Sequence, residues 1–112
     1  MRVLAVLLFA AACVGCGSSD DRTPSVEVIS LEILLPSCGA VQCHSTTTRT
    51  AGYAFDTLEE AKISLRDMGV GPGNGGELLE VIDDNEMPPD SPMFEADIAL
   101  IEQWIADGAQ GL

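Results

Sequence analysis

"CGAVQCH", Cys38 to His44, places two thiols and the chain's one histidine within seven residues. Such a cluster holds a metal ion, carries a covalently attached group or closes a disulfide, and the choice decides what kind of small fold surrounds it.

Length and charge narrow the surroundings. The chain has 112 residues, room for one small domain once its apolar start is set aside. Its formal charge is -13, from 5 Lys and Arg against 18 Asp and Glu. Arg2 lies in the leading segment, so Arg22, Arg49, Lys62 and Arg66 are the cations left to the rest. A surface of this sign repels a phosphate backbone, which excludes nucleic acid as a partner, and repels an anionic lipid face.

"MRVLAVLLFAAACVGC", residues 1–16, has a basic residue at Arg2, an apolar run from Val3 to Ala12 and small residues before a cysteine. The run is too short to span a bilayer and has the build of an export signal. Its end, "CVGC", resembles a bacterial lipobox with Cys13 in place of the usual Leu. The resemblance implies lipidation of Cys16 as the first residue of a lipoprotein; an ordinary signal peptide cleaved nearby is the alternative. Either way the domain is expected outside the cytoplasm, in the cell envelope and facing periplasm or exterior. "GSSDDRTPS", Gly17 to Ser25, is polar and suits a flexible tether. The expected organisation is therefore a signal peptide over 1–16, a tether over 17–25 and a folded domain over 26–112.

Export changes the cysteine count. Cys13 leaves with the leader and Cys16 would carry lipid, so Cys38 and Cys43 remain for the domain, either as a disulfide pair or as a site.

The folded part reads as helices. "SVEVISLEILL" puts Val28, Leu31 and Leu35 on one face with Ile29 and Ile33 near it, and Pro36 is expected to end or kink the segment. Alternation at Val26, Val28 and Ser30 leaves a strand open at its start. "DTLEEAKISLRDMG" carries a capping-box spacing at Thr57 and Glu60, a stripe of Leu58, Ala61, Leu65 and Met68, and a stop at Gly69. Met68 thus reads as core. "GELLEVID" fits a short helix after the turn-rich "GVGPGNGG". "EADIALIEQWIADGA" aligns Ile98, Ile101, Trp104 and Ile105, with Glu95 and Asp97 at its start and Gly108 at its end. Beyond Ser30 there is no hairpin signal, so the expected class is all-α.

Residues 26–112 contain few aromatics and several Gly-Pro loops, and domains below about 70 to 80 residues lean on a staple, metal or cofactor. A buried flat apolar group would complete this core. Attaching haem c takes two thiols close enough to add across two vinyl groups, with the adjoining histidine turned to the iron; C-x-x-C-H is the common spacing. Cys38, Cys43 and His44 give C-x-x-x-x-C-H, which resembles a known longer variant. Gly39 and Ala40 are small enough to bulge between the two attachment points.

A histidine on one side of the iron leaves the other side open, and a methionine thioether there suits electron transfer. Met68, Met87 and Met93 compete. Met87 is favoured because Pro88 and Pro89 fix the backbone after it in an extended loop. Packing beneath that loop is the plain alternative.

Taken in order, "ILLPSCGAVQCHS", "GYAFDTLEEAKISL", "VGPGNGGELLEVI", "EMPPDSPMF" and "IALIEQWIADGA" resemble the small c-type cytochrome domains of planctomycete and myxobacterial envelope proteins, over nearly everything from Ile29 to Ala109. The resemblance implies a cytochrome c-like fold of about three to four helices around a covalently attached haem. It makes Cys38 and Cys43 the thioether sites, His44 the proximal iron ligand, Met87 the distal one, and Met93 a packing residue. The longer spacer and Pro36 just before Cys38 depart from the family's usual pattern. The implied function is that of an envelope-anchored monohaem c-type cytochrome carrying single electrons between redox proteins, with a redox partner bearing a basic patch and a lipid anchor in the membrane.

Other chemistries fare worse on the residues. Structural zinc takes about four N or S ligands, and two thiols and one imidazole fall short. Blue copper takes two histidines and a cysteine. No catalytic Ser-His-Asp or Cys-His set can be built without His44, so an enzyme is not indicated. The reading from a different class is a haem-free lipoprotein interaction module with a Cys38–Cys43 disulfide.

Overall fold

The computed structural model describes residues 21–89 and 92–112. The expected signal peptide over 1–16, with the lipidation reading at Cys16, and residues 17–20 of the expected tether lie outside the described residues. Within them there is no strand, only an isolated bridge between Gly71 and Asn74, and four helices with a short 3-10 turn at Thr50–Gly52 make the fold all-α.

The first helix, α1, runs over residues 26–38, and it passes through Pro36 rather than ending there. Ser25 caps it, its Oγ accepting from the Val28 N–H at 3.2 Å. Val26–Val28 is α-helical, Ile29–Leu34 is wound as a π-helix, and Leu35–Cys38 returns to α. Proline has no N–H to give, and its ring would clash with the carbonyl four residues back in a regular α-helix. The wider turn relieves both problems, with the Leu35 N–H reaching back five residues to the Ser30 carbonyl. Cys38 is thereby held in the last helical turn. Gly39 closes the helix where space is short: a Cβ there would lie 2.8 Å from both the Leu35 and Phe55 carbonyl oxygens.

The start of α1 is helix, the reading favoured over the strand that its alternation left open, and one expectation for α1 needs correction. Its core face is Val26, Ile29, Ile33 and Leu34, with Ser30 also fully buried, whereas Leu31 and Leu35 stay 44% and 36% exposed. Apolar residues surround this helix on nearly every side, so periodicity alone did not single out the buried stripe.

The second helix, α2 (Leu58–Asp67), starts on Thr57, whose Oγ1 accepts from the Glu60 N–H at 3.2 Å. Ala61, Ser64 and Leu65 are buried on it, Met68 is buried as it ends, and Gly69 turns the chain at φ 82°. The third, α3 (Gly76–Asp83), begins hard against that end: the Glu77 N–H donates to the Met68 carbonyl at 2.9 Å, and a Cβ on Gly76 would sit 2.3 Å from the same oxygen. The fourth, α4 (Glu95–Ala106), buries Leu100, Ile101, Trp104 and Ile105, while Ile98 packs at the core's edge. Trp104 is fully buried, and its indole N–H donates to the Gln110 carbonyl at 3.1 Å.

Helix α1 lies against α2 and α4. One core joins all four helices, with Phe55 from the loop after α1 and Met93 from the loop before α4. Ahead of α1, Arg22 pairs with Asp97 of α4 at 2.6 Å, so the segment expected as a tether is tied to the domain at that point.

Candidate functional site

Cys38, Cys43, His44 and Met87 line a single cavity of about 150 Å³, together with Ser37, Gln42, Thr50, Pro88 and Pro89. Three of the four come from one short stretch; Met87 arrives from beyond α3, so the fold brings the two motifs together.

Backbone hydrogen bonds explain how the five-residue step from Cys38 to Cys43 is taken up. The Cys43 N–H donates to the Ala40 carbonyl at 2.9 Å, and the His44 N–H donates back to the Cys38 carbonyl at 3.0 Å. Residues 39–42 therefore form a turn, and Cys43 and His44 return to the last turn of α1. Beyond them, the Phe55 N–H donates to the His44 carbonyl at 2.7 Å and the Thr50 N–H to that of Cys43 at 3.2 Å.

Side chains brace the same loop. Thr46 donates its N–H and its hydroxyl to Asp56 Oδ2 at 3.0 and 2.9 Å, and these bonds hold the Asp56 carboxyl below the usual range. Arg49 pairs with Glu60 at 2.9 Å, which ties the loop to the first turn of α2. Arg49 and Ala51 both adopt positive φ, 46° and 56°, so the loop is bent tightly just where Thr50 meets the cavity.

On the far side the N–H groups of Glu86 and Met87 donate to the Val81 carbonyl at 3.0 and 3.1 Å. They wrap the chain around the end of α3 and deliver Met87, partly buried, to the cavity. The other two candidate methionines, Met68 and Met93, do not line the cavity and are both buried in the hydrophobic core.

His44 is buried. Its Nδ1 is closed to solvent and has no hydrogen-bond partner among the described residues, so the nitrogen the ring can offer the cavity is Nε2. The ring is flanked by Phe55, edge-on at 5.6 Å between centroids, and by Tyr53 at 6.3 Å. Sequence reasoning missed this aromatic setting, and it missed Ser37, Gln42 and Thr50 as wall residues. Tyr53 and Phe55 alternate in the extended "YAF" step before α2, which was the available signal.

Cys38 and Cys43 are free thiols, both partly buried. Burial pushes the Cys38 thiol up to about 11, and the neighbouring Cys43 sulfur adds to the shift. While the thiols are free, alkylation of Cys38 is expected to be slow at pH 8 and to rise about tenfold per pH unit, because the thiolate is the nucleophile. A rate that levels off below pH 9, measured by mass spectrometry of the labelled peptide, would count against this environment. The linkage runs in the same sense. A thiol raised from 9.0 to about 11 contributes stability that is complete below pH 9 and is lost as pH climbs through 11.

Beside the cavity runs a groove of about 540 Å³ lined by Glu32, Pro36, Ser37, Pro88, Pro92, Met93, Phe94 and Asp97. Ser37 and Pro88 belong to both walls and form the partition between the two spaces. Comparison of the chain with protein-family models, with curated proteins and with solved structures finds no match.

Proposed function

We propose that the chain is an envelope-anchored monohaem c-type cytochrome that carries single electrons between redox proteins. The observation that carries this reading is the convergence of Cys38, Cys43, His44 and Met87 on one cavity. Two thiols, an imidazole and a thioether make up the donor set of a covalently held haem with His and Met axial ligands.

The residues present fit that group. The cavity is smaller than the roughly 300–1,000 Å³ typical of cofactor sites, and the larger groove adjoins it at Ser37 and Pro88. A bare ion fits less well. It needs its donors at one point, and among the described residues no three His, Cys, Asp or Glu side chains are grouped to hold one. A macrocycle takes its donors at separate points around its edge and on its two faces.

In this reading Cys38 and Cys43 would hold haem covalently, His44 would offer Nε2, and Met87 its sulfur. Bound haem would supply one-electron chemistry. The chain's own part would be to orient these side chains and to shield them from water. The deciding experiment is export in a host that matures c-type haem, followed by a haem stain of the denatured protein.

Anchoring is proposed through a lipid on Cys16. Among the described residues no helix is long and apolar enough to cross a membrane.

The proposed redox partner bears a basic patch. Of the four cations outside the leader, Arg22 and Arg49 are engaged by Asp97 and Glu60 within the domain, so the acidic field outweighs them. Complementary fields raise encounter rates. Electron exchange with a small basic redox protein is therefore expected to slow by about tenfold between 0.01 and 0.1 M salt, as the Debye length shrinks from about 30 to about 10 Å. Stopped-flow rates that stay flat, and that equal those with an acidic partner, would show that the charge serves solubility alone.

A further inference from the structure

We propose that Tyr53 and Phe55 are positioning residues for His44, and that their rings fix the imidazole plane in place of a hydrogen bond on Nδ1. A histidine that binds a metal through one nitrogen ordinarily donates its other N–H to a carbonyl or carboxylate, which sets both tautomer and ring orientation. Here Nδ1 is buried, and no described residue accepts from it. Something else must stop rotation about the Cβ–Cγ bond.

The surrounding geometry supplies it. The backbone of His44 is pinned on both sides, by its N–H on the Cys38 carbonyl at 3.0 Å and by the Phe55 N–H on its own carbonyl at 2.7 Å. Phe55 is buried and meets the imidazole at an interplanar angle of 74°, an edge-to-face arrangement that ring quadrupoles favour. Tyr53 lies against the same ring, tilted by 41°. Its own ring is held in turn, since its hydroxyl donates to Glu77 at 2.8 Å in the first turn of α3. One residue thus fixes both the main chain and the ring of His44, and the other ties that ring to a second helix.

The polar rival is Asp56. Its Oδ2 is committed to Thr46, but its Oδ1 takes no hydrogen bond from another described residue, so a carboxylate sits near the loop as the alternative means of orienting the histidine. The proposal excludes that role. It deepens the haem reading only where a group on Nε2 is concerned: with Nδ1–H unclaimed, the ring would act there as a plain imidazole donor. The orientation itself is a property of the chain.

The test compares Tyr53→Leu, Phe55→Leu, Tyr53→Phe and Asp56→Asn in the exported full-length protein. The imidazole plane is read by NMR, from hyperfine-shifted His44 resonances of the ferric form if haem is attached and from ring NOEs if it is not. A colourless product therefore sinks the haem reading without touching this one. Asp56→Asn is expected to keep one fixed orientation, and Tyr53→Phe, which keeps the ring but drops its tie to Glu77, to loosen it less than Tyr53→Leu does. Tyr53→Leu and Phe55→Leu are expected to lose it, with averaged resonances and missing ring contacts. Should Phe55→Leu fail to fold, the partly buried Tyr53 decides alone. A ring that stays fixed in Tyr53→Leu, or one released by Asp56→Asn, overturns the proposal.

Discussion

Replacing both cavity thiols, Cys38→Ser with Cys43→Ser, is expected to abolish covalent haem entirely, so that a protein red through denaturing electrophoresis becomes colourless there. Thioether bonds survive unfolding, whereas bonds from His44 and Met87 to a bound iron would not, which is why the denatured sample separates attachment from mere binding. Each single substitution leaves one thiol on the cavity wall and is expected to keep a weaker haem band. The grading follows from the geometry. Cys38 is held by the last turn of α1 and Cys43 by a hydrogen-bonded turn of its own, so the loss of one does not displace the other. If the unaltered protein emerges colourless from a competent host with Cys38 joined to Cys43, the haem reading fails. The chain is then better described as a lipoprotein whose small disulfide loop supports an interaction surface.

The helices and the site were legible for different reasons. Helices α2 and α4 carry their own punctuation. Thr57 caps the first of these and Gly69 stops it, Gly108 follows the second, and each carries a recurring apolar stripe, Ala61 and Leu65 on the first and Ile101, Trp104 and Ile105 on the second, that is buried. Local signals of that kind act within a few residues and survive being read alone. The core roles of Met68 and Met93 were legible too, and both are buried.

Helix α1 was harder, because its outcome depends on what packs against it. The reading of Pro36 as an end or a kink treated the α-helix as the only helix available. The observed π-helical stretch keeps the chain turning by reaching one residue further for its hydrogen bond. The buried face then follows the fit against α2 and α4, which accepts Ser30 and leaves Leu31 and Leu35 partly outside. No periodicity within the segment contains that information.

For the site, chemistry made Cys38, Cys43, His44 and Met87 visible, since few side chains can act as such donors. The walls were invisible for the converse reason. Ser37, Gln42 and Thr50 are ordinary polar residues whose place on the cavity arises from turns and backbone bonds. The partnerless Nδ1 of His44 and the two rings beside it are likewise a matter of tertiary arrangement.

Met87→Ala is expected to remove the sulfur-to-iron charge-transfer band of the haem-loaded protein and to lower its reduction potential, by a sizeable part of the roughly 0.8 V over which axial ligands set haem potentials. A thioether is a weak donor that favours the reduced iron, and water or an added ligand in its place favours the oxidised form. The comparison with the other methionines gives the test its force. Met68 and Met93 are both 8% exposed and packed in the hydrophobic core. Cutting either to Ala removes buried volume and is expected to cost about 2 to 5 kcal/mol of stability while leaving the band in place. Met87 is only partly buried, lines the cavity and hangs from the end of α3 by backbone hydrogen bonds that do not involve its side chain. Its truncation should therefore cost little stability and change the spectrum most. Met93 borders the adjoining groove, which makes it the one rival positioned to replace Met87. A band that persists in Met87→Ala and disappears in Met93→Ala would move the axial ligand to Met93 and turn the Pro88–Pro89 loop into a wall. A band lost only in Met87→Ala, with its thermal midpoint nearly unchanged, would assign the ligand to the residue that the two prolines hold in the loop.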